Sequence, residues 1–204
     1  MAGRVQQGLR AADKVLDRYD ATKHGHLADI LIHDPRTAVG IVGSASTWIL
    51  GYPDRALRVS DEKDAHARRR GHPFYLGFAL TFGAHEFGHR FTVEDLLKRA
   101  EECDRLGRKN SLPVLWSSMA PILYGRALIL KGKPTEGIAP LKDGIAFYEA
   151  SGGKVRSQTL KMFLAEGMAL TGDLDDALHL IDEQIAQVER PGWEGRLCGA
   201  EILP

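Results

Sequence analysis

The sequence predicts an all-α protein, an α-α superhelix of paired helices, and three observations carry that reading. Uncharged and charged segments alternate. Residues 37–53, 71–85 and 110–125 hold no Asp, Glu, Lys or Arg over 17, 15 and 16 positions, while 54–70 hold ten and 86–109 hold twelve. Gly51, Gly88, Gly132 and Gly172 each close an apolar stretch and open a charged amphipathic one, at separations of 37, 44 and 40 residues. No strand-like alternation of period two survives a count. A helical-repeat array has this pattern, because one helix of each pair is sandwiched and the other faces water.

In chain order, residues 4–20 form an amphipathic helix with Val5, Leu9, Ala12, Val15, Leu16 and Tyr19 on one side, resembling the second helix of a preceding repeat. Residues 21–34 hold a short helix before Asp34-Pro35, a cap followed by the proline that starts the next helix. Four helix pairs follow, at 36–50 with 53–70, 73–87 with 92–107, 112–131 with 134–150, and 155–171 with 173–189. Each turn glycine can take the left-handed conformation that ends a helix. Start signals come next: Pro53 and Pro134 in the first turn, Thr92 with Asp95 as a capping box, and Asp173 as a cap. The expected organisation is one domain with repeats at 34–71, 72–110, 111–152 and 153–190, and partial repeats at 1–33 and 191–204.

The residues flanking the glycines repeat in type. Seven before stand Ser44, Thr81, Gly125 and Ala165; five after stand Ala56, Val93, Gly137 and Ala177; nine after stand Ser60, Leu97, Leu141 and Ile181. Small side chains at the first two positions let paired helices cross closely, and bulkier ones fill the interface. The units resemble tetratricopeptide (TPR) repeats stretched from about 34 to about 40 residues. They depart from them four residues before each glycine, where Thr47, Ala84, Leu128 and Met168 replace the usual aromatic. LGYPDRAL, GHPFYLGFAL, AEECDRLGRKNSLPVLW, GKPTEGIAPLKDGIAFYEASG and the closing AEIL also resemble one bacterial group. It is the helical-repeat region C-terminal to the ATPase module of class III adenylate/guanylate cyclase-like proteins. The resemblance spans nearly the whole chain and implies an interaction or sensing region of a signalling protein, without nucleotide-processing domains.

Composition narrows the function further. The 204 residues carry 27 Lys plus Arg against 27 Asp plus Glu. A formal charge of zero argues against nucleic-acid or anionic-membrane partners, which need a positive excess. The uncharged runs are short for a membrane span and are broken by Gly, Ser, Thr or Pro. Cys103 and Cys198 read as reduced thiols, and the first residues lack the apolar core of a signal peptide, so a cytoplasmic setting is expected.

One motif carries possible chemistry. His85-Glu86-Phe87-Gly88-His89 is H-E-x-x-H, the form seen in matrix metalloproteases. On a helix, two histidines four apart can bind zinc while the glutamate activates a metal-bound water. Gly88, however, sits at a repeat turn and places His89 beyond the helix end. Thr92 and Asp95 stand where the metzincin continuation needs Gly and His. No metal site or cofactor is therefore expected, and a zinc hydrolase is the alternative.

His24, His26 and His33 read as solvated loop histidines. Ser151-Gly152-Gly153-Lys154 reads as an inter-repeat turn, since Phe147 and Val155 break the phosphate-loop pattern. Gly40 to Ser46 reads as close helix packing, and Arg68-Arg69-Arg70 as a basic helix end suited to the macrodipole.

Trp48, Trp116 and Trp193 fall in or near first helices. Trp48, Phe74, Tyr75, Trp116 and Tyr124 are the candidates to line a concave groove for a protein or peptide partner. The expected function is a non-enzymatic interaction module. Small-ligand sensing in the concavity is a further alternative, and uncapped ends suggest self-association.

Overall fold

A computed structural model describes residues 2–31, 34–86, 92–154 and 157–189, and every regular element among them is helical. The chain divides into two compact units, Met1–Phe87 and Gly88–Pro204, each described by itself. The helix limits follow the sequence signals closely. The expected pair 73–87 with 92–107 falls on both sides of the division, and Gly88 lies outside the described residues.

The first unit holds α1 (Ala2–Arg18), α2 (Ala21–His24), α3 (Leu27–Leu31), α4 (Pro35–Ile49), α5 (Pro53–Arg70) and α6 (Pro73–Glu86). Helix α4 is central and packs against α1, α3, α5 and α6. Its buried side chains are nearly all small: Thr37, Ser44, Ala45, Ser46 and Thr47 beside Ile41. Ser44 and Thr47 donate their hydroxyls to the carbonyls of Ile41 and Gly43, at 2.9 and 2.6 Å, so these core polar groups are satisfied within the helix. Gly40 and Gly43 let neighbours approach closely. A Cβ on Gly40 would stand 2.9 Å from Cβ of Lys63, and one on Gly43 would stand 3.5 Å from Ala12. Val15, expected on the packed side of α1, is 38% exposed.

The second unit holds α7 (Val93–Lys109), a π-helical turn (Leu115–Met119) that runs into α8 (Ala120–Leu130), α9 (Pro134–Ala150), α10 (Ser157–Thr171) and α11 (Leu174–Glu189). Each of these helices packs against the next in sequence, and α8 also touches α10. Thr92 and Asp95 form the expected capping box: Thr92 Oγ1 accepts from the Asp95 N–H, and the Asp95 carboxylate accepts from the Thr92 N–H. Gly51, Gly132 and Gly172 turn the chain between paired helices at φ of 84°, 81° and 96°, the left-handed region open to glycine.

The close crossing of α8 and α9 is built on glycine. A Cβ on Gly125 would meet the Gly137 carbonyl at 2.6 Å, and one on Gly137 would meet the Gly125 carbonyl at the same distance. Higher on the same interface, Ser118 Oγ donates to the Gly144 carbonyl at 2.9 Å. The π turn has a local cause. Pro121 has no N–H, and its ring would clash with the carbonyl of Ser117 in a regular helix. Widening the turn before it, with the Ala120 N–H reaching back to the Leu115 carbonyl, opens that space.

Candidate functional site

The groove candidates divide between the units. In the first, Trp48 is half-buried near the end of α4. Phe74 stacks on Phe78 one turn along α6, with ring centroids 5.8 Å apart. Tyr75 is buried, and its hydroxyl donates to the Ala28 carbonyl at 2.9 Å, so its polar tip is used in joining α6 to α3. In the second, Trp116 lies in the π turn, half-buried against Gly107 of α7. Tyr124 on α8 is 45% exposed and offers the most open face of the five.

Two residues on from Tyr124, α8 and α10 are tied by a charge pair absent from the sequence reading. Arg126 is buried, and its Nη1 donates to Glu166 Oε2 at 2.6 Å while its guanidinium lies 4.2 Å over the Phe163 ring. Its Nε and Nη2 have no hydrogen-bond partner among the described residues. Desolvating such a group offsets most of what the pair gains. Arg126→Met is therefore expected to hold or raise stability in urea unfolding. Glu166→Ala, which leaves the buried charge alone, should cost about 2–3 kcal/mol, the half-exposure of Glu166 keeping this below a fully buried pair.

The first unit carries a denser polar cluster around Asp34, whose side chain is fully buried. As the N-cap of α4, its Oδ1 accepts from the backbone N–H and the hydroxyl of Thr37, at 2.8 and 2.9 Å. His66 Nε2 from α5 lies 2.9 Å from the same oxygen, and the Tyr19 hydroxyl donates to Oδ2 at 3.0 Å. Arg70 stands 3.8 Å from Oδ2 and also donates to the Gly25 carbonyl. Burial alone would raise the Asp34 pKa. The hydrogen bonds from His66 and Thr37, with the charge of His66, outweigh it and hold the carboxyl well below the usual range. Burial, then the bond to Asp34 and its negative charge, push the Tyr19 phenol up to about 12. The cluster pins α1, α4 and α5 together. Among the described residues, no hydroxyl or thiol donates to the His66 ring as an activated nucleophile would.

Lys63 is buried as well, its stem lying along Gly40 and its ammonium donating to the Ala79 carbonyl at 2.7 Å beside Asp64 at 3.1 Å. One signal for it was present in the sequence. Ala56, Ser60, Lys63 and Ala67 share a helical face on which the other three residues are small, and all four are buried.

The remaining motifs take structural places. His85 and Glu86 end α6, and their side chains, with His89, lie outside the described residues. Trp193, Cys198 and His33 also lie outside them. His24 Nδ1 accepts from the Asp20 N–H at 2.9 Å, and His26 is exposed. Ser151 to Lys154 form a turn with Gly152 at φ 85°. Cys103 is buried and is not in a disulfide. Among the described residues no three His, Cys, Asp or Glu gather as a metal site, and no helix is long and apolar enough to cross a membrane. The chain matches no protein-family model, no curated protein and no solved structure.

Proposed function

We propose that the chain is a non-catalytic, TPR-like protein–protein interaction and regulatory module, akin to the helical-repeat region of cyclase/ATPase-type signalling proteins and working in the cytoplasm. The observation that carries the reading is the run of sequentially packed helices in the second unit. Its paired helices turn at left-handed Gly132 and Gly172, α8 and α9 cross at Gly125/Gly137, and the small Ala165 and Ala177 are buried in the packed pair α10 and α11. In a TPR-like superhelix, α8 and α10 would be the first helices of successive pairs, whose exposed sides line the concave face. Tyr124 and Glu166 would then offer an aromatic anchor and a carboxylate to an extended, basic or amide-rich segment. The balanced net charge favours protein over nucleic acid as partner.

Tyr124→Ala removes that anchor from an exposed position and should leave Tm within about 1 °C of wild type. Quantitative affinity capture from the source cell is expected to yield a partner that this variant loses, with no zinc in metal analysis of untagged protein. Stoichiometric, chelator-removable zinc, or equal capture by wild type and variant, would overturn the reading.

A further inference from the structure

Among the described residues helix α11 packs chiefly against α10, with Ala177 and Gln184 buried. Next to that buried face runs a second apolar seam: Leu174, Leu178, Ile181 and Ile185, spaced i, i+4, i+7 and i+11 as in a two-helix interface. Leu174 and Leu178 are 58% and 59% exposed, and Leu170 near the end of α10 is 60% exposed. These are the most open leucines among the described residues. The seam is edged with negative charge. Helix α11 holds Asp175, Asp176, Asp182, Glu183 and Glu189, with no Lys or Arg. Asp175 and Asp182 lie along one side of it, and neither has an ion-pair partner among the described residues.

A copy of the same face would not suit this one, since like charges would meet across it. The complementary surface lies in the first unit. Helix α1 packs on α4 through Val5, Leu9 and Ala12, leaving a narrow outer strip of Gly8, Ala11 and Val15 at heptad spacing. Gly8 has open space around its Cα, so a partner helix can approach closely there. Lys14 and Arg18 edge that strip, with Arg10 beyond them. None of the three is engaged in an ion pair among the described residues, whereas Asp13 of the same helix is taken by Arg55 at 2.8 Å. Bulky leucines edged by acids and small residues edged by bases are matched in both shape and charge.

We propose that the acidic leucine seam of α11 docks on the basic outer face of α1 of a second copy of this chain, in a head-to-tail contact. The two sides of the contact are different surfaces, so in a pair one copy keeps its α1 face and the other its α11 seam for a further neighbour.

Sedimentation velocity of the full chain at micromolar concentration tests it. Wild type should self-associate, with Kd weakened at least about tenfold in about 1 M salt, where the screening length is about 3 Å. Asp175→Lys/Asp182→Lys and Lys14→Glu/Arg18→Glu should each be monomeric and folded, because all four side chains are exposed or half-exposed. Mixed in equal parts, the two variants should associate again, since every head-to-tail contact between unlike copies is then complementary. Leu174→Glu/Leu178→Glu should be monomeric by itself and when mixed with Asp175→Lys/Asp182→Lys, but its intact α1 should still accept the α11 of Lys14→Glu/Arg18→Glu and end the chain there. A wild type that remains monomeric, charge variants that associate as wild type does, or a mixture that stays monomeric would each overturn the proposal. Stronger association of Asp175→Lys/Asp182→Lys alone would point instead to pairing of like seams.

Discussion

Asp34→Ala is expected to cost about 3–5 kcal/mol, the largest loss of any single substitution in the first unit. The change removes the cap of α4 and leaves the Thr37 N–H, the Tyr19 hydroxyl and the His66 ring without their shared acceptor. Asp34→Asn keeps an oxygen for the cap but discards the charge, and should fall between wild type and alanine. The pH profile separates charge from packing. A carboxyl held well below its usual pKa contributes stability that is complete above about pH 4 and drains away as pH falls toward the folded value. Asp34→Asn should flatten that acid limb in urea unfolding. Tyr19 acts in the opposite direction. Its phenol is raised, so its contribution is complete below about pH 10 and is lost as pH climbs toward about 12. Tyr19→Phe should remove the alkaline limb while leaving the acid limb in place. An acid limb unchanged in Asp34→Asn would assign it to other carboxylates.

Gly125→Ala should destabilise the second unit although alanine is the better helix former. The added Cβ would meet the Gly137 carbonyl at 2.6 Å, the Leu141 nitrogen at 2.7 Å and the Leu141 Cβ at 2.8 Å. Two of these are backbone atoms of the facing helix, so no side-chain rotation relieves them and α8 must move away from α9. The strain should exceed the helix-propensity gain of about 1 kcal/mol and leave a net loss of about 2 kcal/mol. Gly137→Ala is expected to match it, since its contact is the reciprocal one. Gly8→Ala in α1 is the control. Nothing lies within 4 Å of its Cβ position, so it should stabilise by about 0.5–1 kcal/mol. Denaturant midpoints for the three variants check the ordering, and a stabilised Gly125→Ala would rule out the close crossing.

These two sites differ in how readable they were from the sequence. The crossing at Gly125 and Gly137 was legible because turn glycines and small interface residues recur at fixed offsets, and local geometry alone demands them. Asp34 was legible as a cap before Pro35 but not as the centre of a cluster. Its other partners stand 15 and 32 residues away, a separation that no local pattern encodes. Lys63, Asp64 and His66 sit in the most charge-dense stretch of the first unit, which reads as a solvated face, yet all three are buried. Arg126 is the reverse case, one charge within an otherwise apolar helix, held by a glutamate 40 residues on. Tyr75 resembles the docking aromatics in residue type, and only the Ala28 carbonyl beside its hydroxyl shows where its polar tip goes.

The π turn at Leu115–Met119 also sets the phase of the helix it opens. A helix advances about 100° per residue, so one surplus residue rotates everything before the turn by that angle relative to everything after it. Leu115 and Trp116 therefore face Gly107 while Ile122 and Gly125 meet α9, two directions that an unbroken α-helix of this length would not aim together. Deleting one residue within the turn would restore regular winding but swing Trp116 off its glycine. Chain length at this point is thus constrained as tightly as residue type, and an indel here would be read out as misalignment of α7 with α9.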